Sequence, residues 1–239
     1  MLGTCAFVLA SPVAAQDLTI GTYTGHNNDY PFGGYELDPP NRYQQVYAAG
    51  AFGTSIFIDA IRFTSSMFSD STLWGPPVES TISPGEYLIR FSTTSAPVDG
   101  LSTAFDSNLG ANTAVFFSGS ISGGLRISGL PFLYDPAFGN LLLDVTVFSQ
   151  QSQPFGAMDT DGELGDEMSR VSEYRWGQGP VGADTYGLVT TFETRPGSMP
   201  DSTVPEPVSM VLLGTGLAGV GALRRRRKKR GKATGEAMQ

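Results

Sequence analysis

Closely spaced acidic residues form a cluster late in the chain, at residues 159–167 (DTDGELGDE). Carboxylate oxygens are the ligands that hard cations prefer, and Ca²⁺ takes about six to eight oxygens at roughly 2.3–2.6 Å. The spacing departs from an EF-hand loop, and no flanking helices are predicted. The pattern therefore predicts either a calcium site with Asp159, Asp161 and Glu163 as ligands, or a solvated acidic loop between strands.

Aromatic residues crowd a glycine-rich segment around residue 30. Tyr30 and Tyr35 lie in the run TGHNNDYPFGGY, and Trp74 precedes Gly-Pro-Pro. Exposed rings on the loops of a β-domain can stack on the apolar face of a pyranose, whose hydroxyls then bind nearby amides and carboxylates. We therefore predict a glycan site at Tyr30, Tyr35 and Trp74. The alternative is that these rings fill the core at the bases of loops.

Known catalytic patterns are missing from the chain. His26 is the only histidine, which excludes a zinc site built from several histidines. A serine triad would need His26 as its base, and no G-x-S-x-G pattern is present to supply the nucleophile. Two carboxylates can hydrolyse a glycoside, but no pair stands out among the acidic residues. We therefore expect no enzymatic activity and place His26 in a loop or on the surface.

Short apolar runs recur through the body of the chain. They are rich in β-branched and aromatic residues and are bounded by Gly, Pro, Asn or Ser, and none shows a sustained helical period. The predicted strands lie at residues 56–63, 86–93, 113–121, 141–148, 170–176 and 187–194. We expect about eight to ten short strands in all, which predicts an all-β fold: a single antiparallel β-sandwich over residues 16–194, with a jelly roll as one arrangement.

The C-terminal segment has three parts in a fixed order. Val204, Pro205, Glu206 and Pro207 come first, and the two prolines prevent a helix from running through them. Residues 208–223 carry no charge and would rise about 24 Å as a helix, near the lower limit for crossing a membrane. A basic cluster follows that would hold the C-terminus in the cytoplasm: Arg224, Arg225, Arg226, Arg227, Lys228, Lys229 and Arg230.

This order resembles the PEP-CTERM sorting signal of Gram-negative bacteria. The resemblance covers residues 204–230 and implies recognition by exosortase, a membrane-embedded protease, with removal of the tail. A plain membrane anchor would need the apolar run and the charges but gives no reason for Pro-Glu-Pro. Residues 231–239 would form a short polar cytoplasmic tail.

The N-terminal residues predict a signal peptide. Residues 2–9 are apolar, and Val13, Ala14 and Ala15 place small residues where a signal peptidase would cut before Gln16. No basic residue precedes Arg42. Either the true start lies upstream, or the signal peptide lacks the basic residues that usually precede its apolar run. Cleavage after residue 15 would remove the only cysteine, Cys5, and leave a mature protein without disulfides.

The charge is divided unequally along the chain. Eight of the fifteen basic residues lie in the tail, whereas residues 16–205 contain seven arginines, no lysine and 21 acidic residues, a net charge of about −14. So acidic a body excludes binding to nucleic acid or to anionic membranes. Residues 195–203 (RPGSMPDST) predict a polar linker that holds the domain away from the membrane.

The body carries a second resemblance. The runs RYQQVY from residue 42, LIRFSTT from residue 88, LSTAF from residue 101 and YDPAFGNLLLD from residue 134 are similar to blocks in uncharacterised secreted bacterial proteins that carry the same tail. The similarity spans much of residues 42–195. It implies a shared β-domain and no established activity.

Three functional interpretations stay open. The leading one is a non-enzymatic surface or matrix protein, anchored in the inner membrane as a precursor, processed by exosortase and retained outside the cell with exopolysaccharide. The second is a carbohydrate-binding module, with calcium as an assisting ion. The third is a polysaccharide hydrolase with a carboxylate site.

Overall fold

The computed structural model describes residues 15–28, 30–33, 40–66, 81–151, 158–173 and 182–197. Thirteen strands lie in these ranges, together with three short 3-10 helices and no α-helix. The strands are β1 (Gln16–Ile20), β2 (His26–Asn28), β3 (Asn41–Tyr47), β4 (Ile56–Phe63), β5 (Gly85–Thr94), β6 (Ala114–Ile121), β7 (Arg126–Tyr134), β8 (Asn140–Gln150), β9 (Met158–Asp161), β10 (Met168–Ser172), β11 (Gly182–Asp184), β12 (Gly187–Leu188) and β13 (Thr190–Pro196).

The strands form three sheets in which every pairing is antiparallel among the residues described. A four-stranded sheet has the order β1-β13-β4-β7, a six-stranded sheet the order β11-β10-β3-β8-β5-β6, and a small sheet the order β12-β9-β2. The predicted all-β antiparallel fold is confirmed. The jelly-roll arrangement stays a prediction.

The two larger sheets bury their apolar faces against each other. Phe192 of the four-stranded sheet contacts Tyr47 and Phe91 of the six-stranded sheet, at ring-centroid distances of 5.0 and 6.3 Å. All three rings are buried in one continuous core. Because alternate residues of a strand face opposite sides, each sheet can present such an apolar face while its other face carries polar side chains.

The outer face of the six-stranded sheet has a smaller apolar cluster. Val46, Leu142 and Val171 project from its strands and pack against Leu101 and Phe105, which lie between β5 and β6. The segment between these strands therefore covers part of the sheet.

The predicted strands correspond to β4, β5, β6, β8, β10 and the pair β12 and β13. The last two are separated at Val189, and residues 174–176 of the predicted fifth strand lie outside the described residues. The predicted linker starts too early, because β13 continues to Pro196 and the Gly197 amide donates to the Ser55 carbonyl at 2.8 Å.

Strand β7 is missing from the sequence predictions because glycine and proline interrupt its apolar pattern. Its pairing with β4 shifts register between Ile58 and Ala60, so residues around Gly129 form an irregularity. A Cβ on Gly129 would lie 2.4 Å from the Phe116 carbonyl oxygen, so the close approach requires glycine. Pro131 is tolerated because β7 is an edge strand, where a missing N–H leaves no ladder bond unmade.

The predicted membrane segment, residues 208–223, and the predicted signal peptide, residues 1–15, lie almost wholly outside the described residues. Within the part of the chain that the structure describes, no helix has the length and apolar character needed to cross a membrane.

Candidate functional site

A polar pocket lies between two edge strands, β2 of the small sheet and β11 of the six-stranded sheet. Its volume is about 560 Å³, within the range of small-molecule sites. Among its lining residues are three consecutive side chains of β2 and three from the region of β10 and β11: His26, Asn27, Asn28, Arg170, Asp184 and Tyr186. We call this the edge pocket.

An ion pair occupies one wall of the edge pocket. Arg170 Nε donates to Asp184 Oδ1 at 2.8 Å, and Arg170 Nη2 donates to Asp184 Oδ2 at 3.1 Å. The two residues are register partners on β10 and β11, which places their side chains on one face. Burial by itself would lower the pKa of Arg170, but Tyr43 and the bond to Asp184 raise it above its ordinary value. The guanidinium is therefore charged at every physiological pH.

Tyr186 is held from several sides. Its ring lies 5.6 Å from the His26 ring in an edge-on arrangement, and the Arg170 guanidinium carbon is 5.6 Å from its centroid. A Cβ on Gly162 would lie 2.5 Å from a Tyr186 ring carbon, so the ring packs directly on that backbone. The Tyr186 amide also donates to Asp184 Oδ1 at 3.1 Å. The ring is therefore fixed before any ligand arrives.

Two donors in the pocket residues lack acceptors. Asn28 Oδ1 accepts from the Tyr30 amide at 3.0 Å, but Asn28 Nδ2 is buried without a hydrogen-bond partner. Arg170 Nη1 is likewise buried without one, although the guanidinium's other two nitrogens are bound to Asp184. Both donors are enclosed within the chain, and both belong to side chains that line the pocket.

The described lining of the edge pocket lacks the carboxylate pair of a glycosidase. Asp184 is the one carboxylate among the described lining residues, and it is already bound to Arg170. Retaining or inverting glycoside hydrolysis needs two carboxylates around the reacting bond. Rings, amides and a paired ion are instead the groups that surround a hydroxyl-rich ligand.

The predicted calcium ligands are not brought together as a cation site. Asp159 and Asp161 belong to buried strand β9, and within the described ranges no three His, Cys, Asp or Glu side chains are grouped to hold a metal. Protein donors already occupy the Asp159 carboxylate. Ser66 donates to it through its amide and its hydroxyl, both at 2.7 Å, and Asn27 Nδ2 donates at 3.0 Å. Asp159 and Asp161 therefore lie in a buried strand and not in a solvated loop, whereas Glu163 is exposed, and calcium binding stays a prediction.

A different acidic pair forms close to β9. Burial raises the pKa of Asp166 to about 6, and the charge of Asp161 adds to the rise, against an opposing bond from the Met168 amide. That amide donates to Asp166 Oδ1 at 2.8 Å, whereas Asp166 Oδ2 is buried without a partner. Neither carboxylate lines the edge pocket.

The structure describes only one of the three predicted glycan residues. Tyr30 is only 4% exposed, its ring lies 5.9 Å from that of Tyr43, and its hydroxyl donates to the Glu173 carbonyl at 2.9 Å. It borders the edge pocket with a buried ring, which agrees with the alternative that this ring fills the core, and its glycan role stays a prediction. Tyr35 and Trp74 lie outside the described residues, and their role stays a prediction.

The residues that build the pocket were missed or undervalued in the sequence. His26 begins strand β2 and is exposed, which confirms its predicted surface position, but the sequence gives no sign that it borders a pocket. The sequence pattern places Arg170 only in a strand and singles out neither Asp184 nor Tyr186. The local signal was weak because the pocket unites segments that are about 140 to 160 residues apart, through pairings that a single sequence does not display.

Comparison with known proteins gives one match. Residues 203–227 match the PEP-CTERM protein-sorting motif, close to the predicted boundaries of 204–230. This segment lies outside the described residues, and no curated protein and no solved structure matches the chain. The resemblance of the body to an uncharacterised secreted β-domain therefore stays a prediction. The chain therefore carries a PEP-CTERM sorting motif, which indicates an exported protein that exosortase processes at the membrane.

Proposed function

We propose that the mature protein is a non-enzymatic surface or matrix protein, retained with exopolysaccharide outside a Gram-negative cell. The observation that carries the proposal is the sorting motif at residues 203–227, which follows an acidic all-β domain. A net charge of about −14 over residues 16–205 keeps such a domain soluble and away from nucleic acid.

The processing step is tested by replacing Pro205, Glu206 and Pro207 with alanine in the native host. Loss of the motif should leave an uncleaved precursor in the membrane fraction, whereas the wild-type chain loses its tail. Immunoblotting of fractions measures both forms. Unchanged processing would contradict the exosortase assignment.

Retention with polysaccharide is tested separately by fractionating the host's extracellular material. The mature wild-type protein should co-fractionate with exopolysaccharide and shift to the soluble fraction in a strain that makes none. Equal distribution in the two strains would overturn the association while leaving the sorting result untouched.

A carbohydrate-binding module is the second candidate. It is favoured by the edge pocket, whose rings, amides and paired ion match the groups that bind sugars. The two functions are compatible, because a binding domain is one way for a sorted protein to be retained in a matrix.

A further inference from the structure

Building on the polysaccharide association proposed above, we propose that the edge pocket binds an uncharged, hydroxyl-rich saccharide unit and discriminates against uronic acids. Three properties of the pocket support this assignment: its balanced charge, its unpaired donors, and the edge-on contact between the His26 and Tyr186 rings.

The charge of the pocket is close to balanced. Arg170 and Asp184 form a two-bond ion pair, so the guanidinium does not present a free positive charge to a ligand. A carboxylate entering beside Asp184 would meet a like charge, within a body whose net charge is about −14. A neutral sugar avoids both penalties, and its hydroxyls can donate to Asp184, whose side chain is 43% exposed.

Two side chains of the pocket carry a donor without an acceptor, and a sugar hydroxyl could supply one. Asn28 Nδ2 and Arg170 Nη1 come from different strands and lie in side chains that line the same pocket. A sugar hydroxyl can accept from one such donor and donate to Asp184 in the same binding mode, because each hydroxyl oxygen is both donor and acceptor.

The rings form an apolar corner beside these groups. His26 and Tyr186 meet at an interplanar angle of 86°, and His26 is exposed. The apolar face of a pyranose can pack in such a corner while its hydroxyl edge points to the amides and the ion pair. The volume of about 560 Å³ accommodates one or two sugar rings.

The test is calorimetric titration of the mature protein, purified from the host after processing. The probes are neutral oligosaccharides of glucose, galactose and mannose, and matched oligosaccharides of glucuronic and galacturonic acid. At least one neutral probe should bind, and every uronate should bind at least tenfold more weakly. Neutral binding should not weaken between ~50 mM and ~500 mM salt, because no charge pairing with the ligand is screened. Equal or tighter uronate binding, or no binding by any neutral probe, would overturn the assignment.

Variants locate the site. Tyr186→Ala and Asn28→Ala should each weaken neutral binding about tenfold or more, the scale of one lost packing or hydrogen-bonding contact. His26→Ala supplies a further variant that is expected to fold normally, because this side chain is exposed. Phe138→Ala removes a ring that is 76% exposed and does not line the pocket, so it is the matched control and should bind as the wild type does.

The outcomes separate this site from the proposed function. If the folded His26→Ala and Tyr186→Ala variants bind like the wild type, the pocket assignment fails, even when the protein still co-fractionates with exopolysaccharide. If the protein binds neutral sugar in the pocket but ignores the host's exopolysaccharide, the site stands and the matrix association fails.

Discussion

Two ionic clusters of the domain differ in how completely their hydrogen bonds are satisfied. On the outer face of the six-stranded sheet, Asp144 is 1% exposed and accepts from Arg42 Nε at 2.8 Å, Arg90 Nε at 2.7 Å and Gln44 Nε2 at 3.0 Å. In the edge pocket, Asp184 binds Arg170, while Arg170 Nη1 and Asn28 Nδ2 have no acceptor. We call the first cluster the Asp144 network.

The Asp144 network also fixes the segment that covers its sheet. Arg42 Nη1 donates to Asp106 at 2.7 Å, and Gln44 Nε2 donates to the Phe105 carbonyl at 3.0 Å. The cluster is closed on itself and holds chain segments together. The edge pocket opens to solvent and has unused donors. We infer from this contrast that the Asp144 network serves architecture, whereas the edge pocket is the better candidate for a ligand site.

The largest expected effect comes from breaking the Asp144 network. Asp144→Ala should destabilise the domain by about 3–5 kcal/mol, because it leaves two partly buried guanidinium groups without their shared carboxylate. Urea unfolding of the mature protein measures the change. Glu193→Ala is the matched control, since it removes a more exposed pair with Arg126 and should cost at most about 1 kcal/mol. Similar losses for the two variants would contradict a structural role for the network.

The equivalent change in the edge pocket should affect both stability and binding. Asp184→Ala should cost about 3 kcal/mol of stability, less than Asp144→Ala, because it leaves one buried guanidinium rather than two without a carboxylate, and it should lower neutral-sugar affinity at least tenfold. Urea unfolding and calorimetric titration of one preparation give the two values. A large stability loss with unchanged affinity would reverse the contrast between the clusters.

The Asp166 carboxyl should make the stability of the domain depend on pH. Its pKa is about 6 in the folded chain against an ordinary value of 3.8, so the folded state binds more protons and this group's contribution to stability falls as pH rises towards and through 6. Asp166→Asn keeps an acceptor for the Met168 amide and removes the repulsion from Asp161. It should stabilise the domain at pH 7 to 8 by about 1 kcal/mol, after allowance for solvent screening.

The measurement for Asp166 is the difference in unfolding free energy between variant and wild type from about pH 4 to 8, since other carboxylates cancel in the difference. The variant's advantage should grow with pH. The control is Asp135→Asn. Its carboxylate accepts from the Ala137 amide, just as Asp166 accepts from the Met168 amide. An advantage for Asp166→Asn that is constant with pH would mean that the carboxyl titrates normally.

The smallest expected effect is that of chelation. Because Ser66, Asn27 and Thr22 already donate to Asp159 and Asp161, EDTA should leave both the unfolding midpoint and neutral-sugar affinity unchanged. Thermal unfolding and titration in calcium and in EDTA provide the check. A fall in either quantity on chelation would restore a calcium role for this region.

The sequence predicted the fold more successfully than the site, for a physical reason. Strands such as β5 and β8 carry their own alternating apolar pattern, so each can be predicted from its own residues alone. The strand at β9 is not predictable from its sequence, because the donors from Ser66 and Asn27 that bind its Asp159 carboxylate come from distant segments. The edge pocket depends on the pairing of β10 with β11 and of β2 with β9, which no local pattern encodes.

Hydrogen–deuterium exchange of the mature protein, with and without a saturating neutral oligosaccharide identified by titration, tests the central contrast most directly. Edge strands expose amides that exchange quickly, and a bound ligand should protect them. The contrast predicts slower exchange in β2 and β11, with no change around Asp144 in β8 or Arg90 in β5. Protection around Asp144, or an absence of protection in β2 and β11 at saturation, would contradict it.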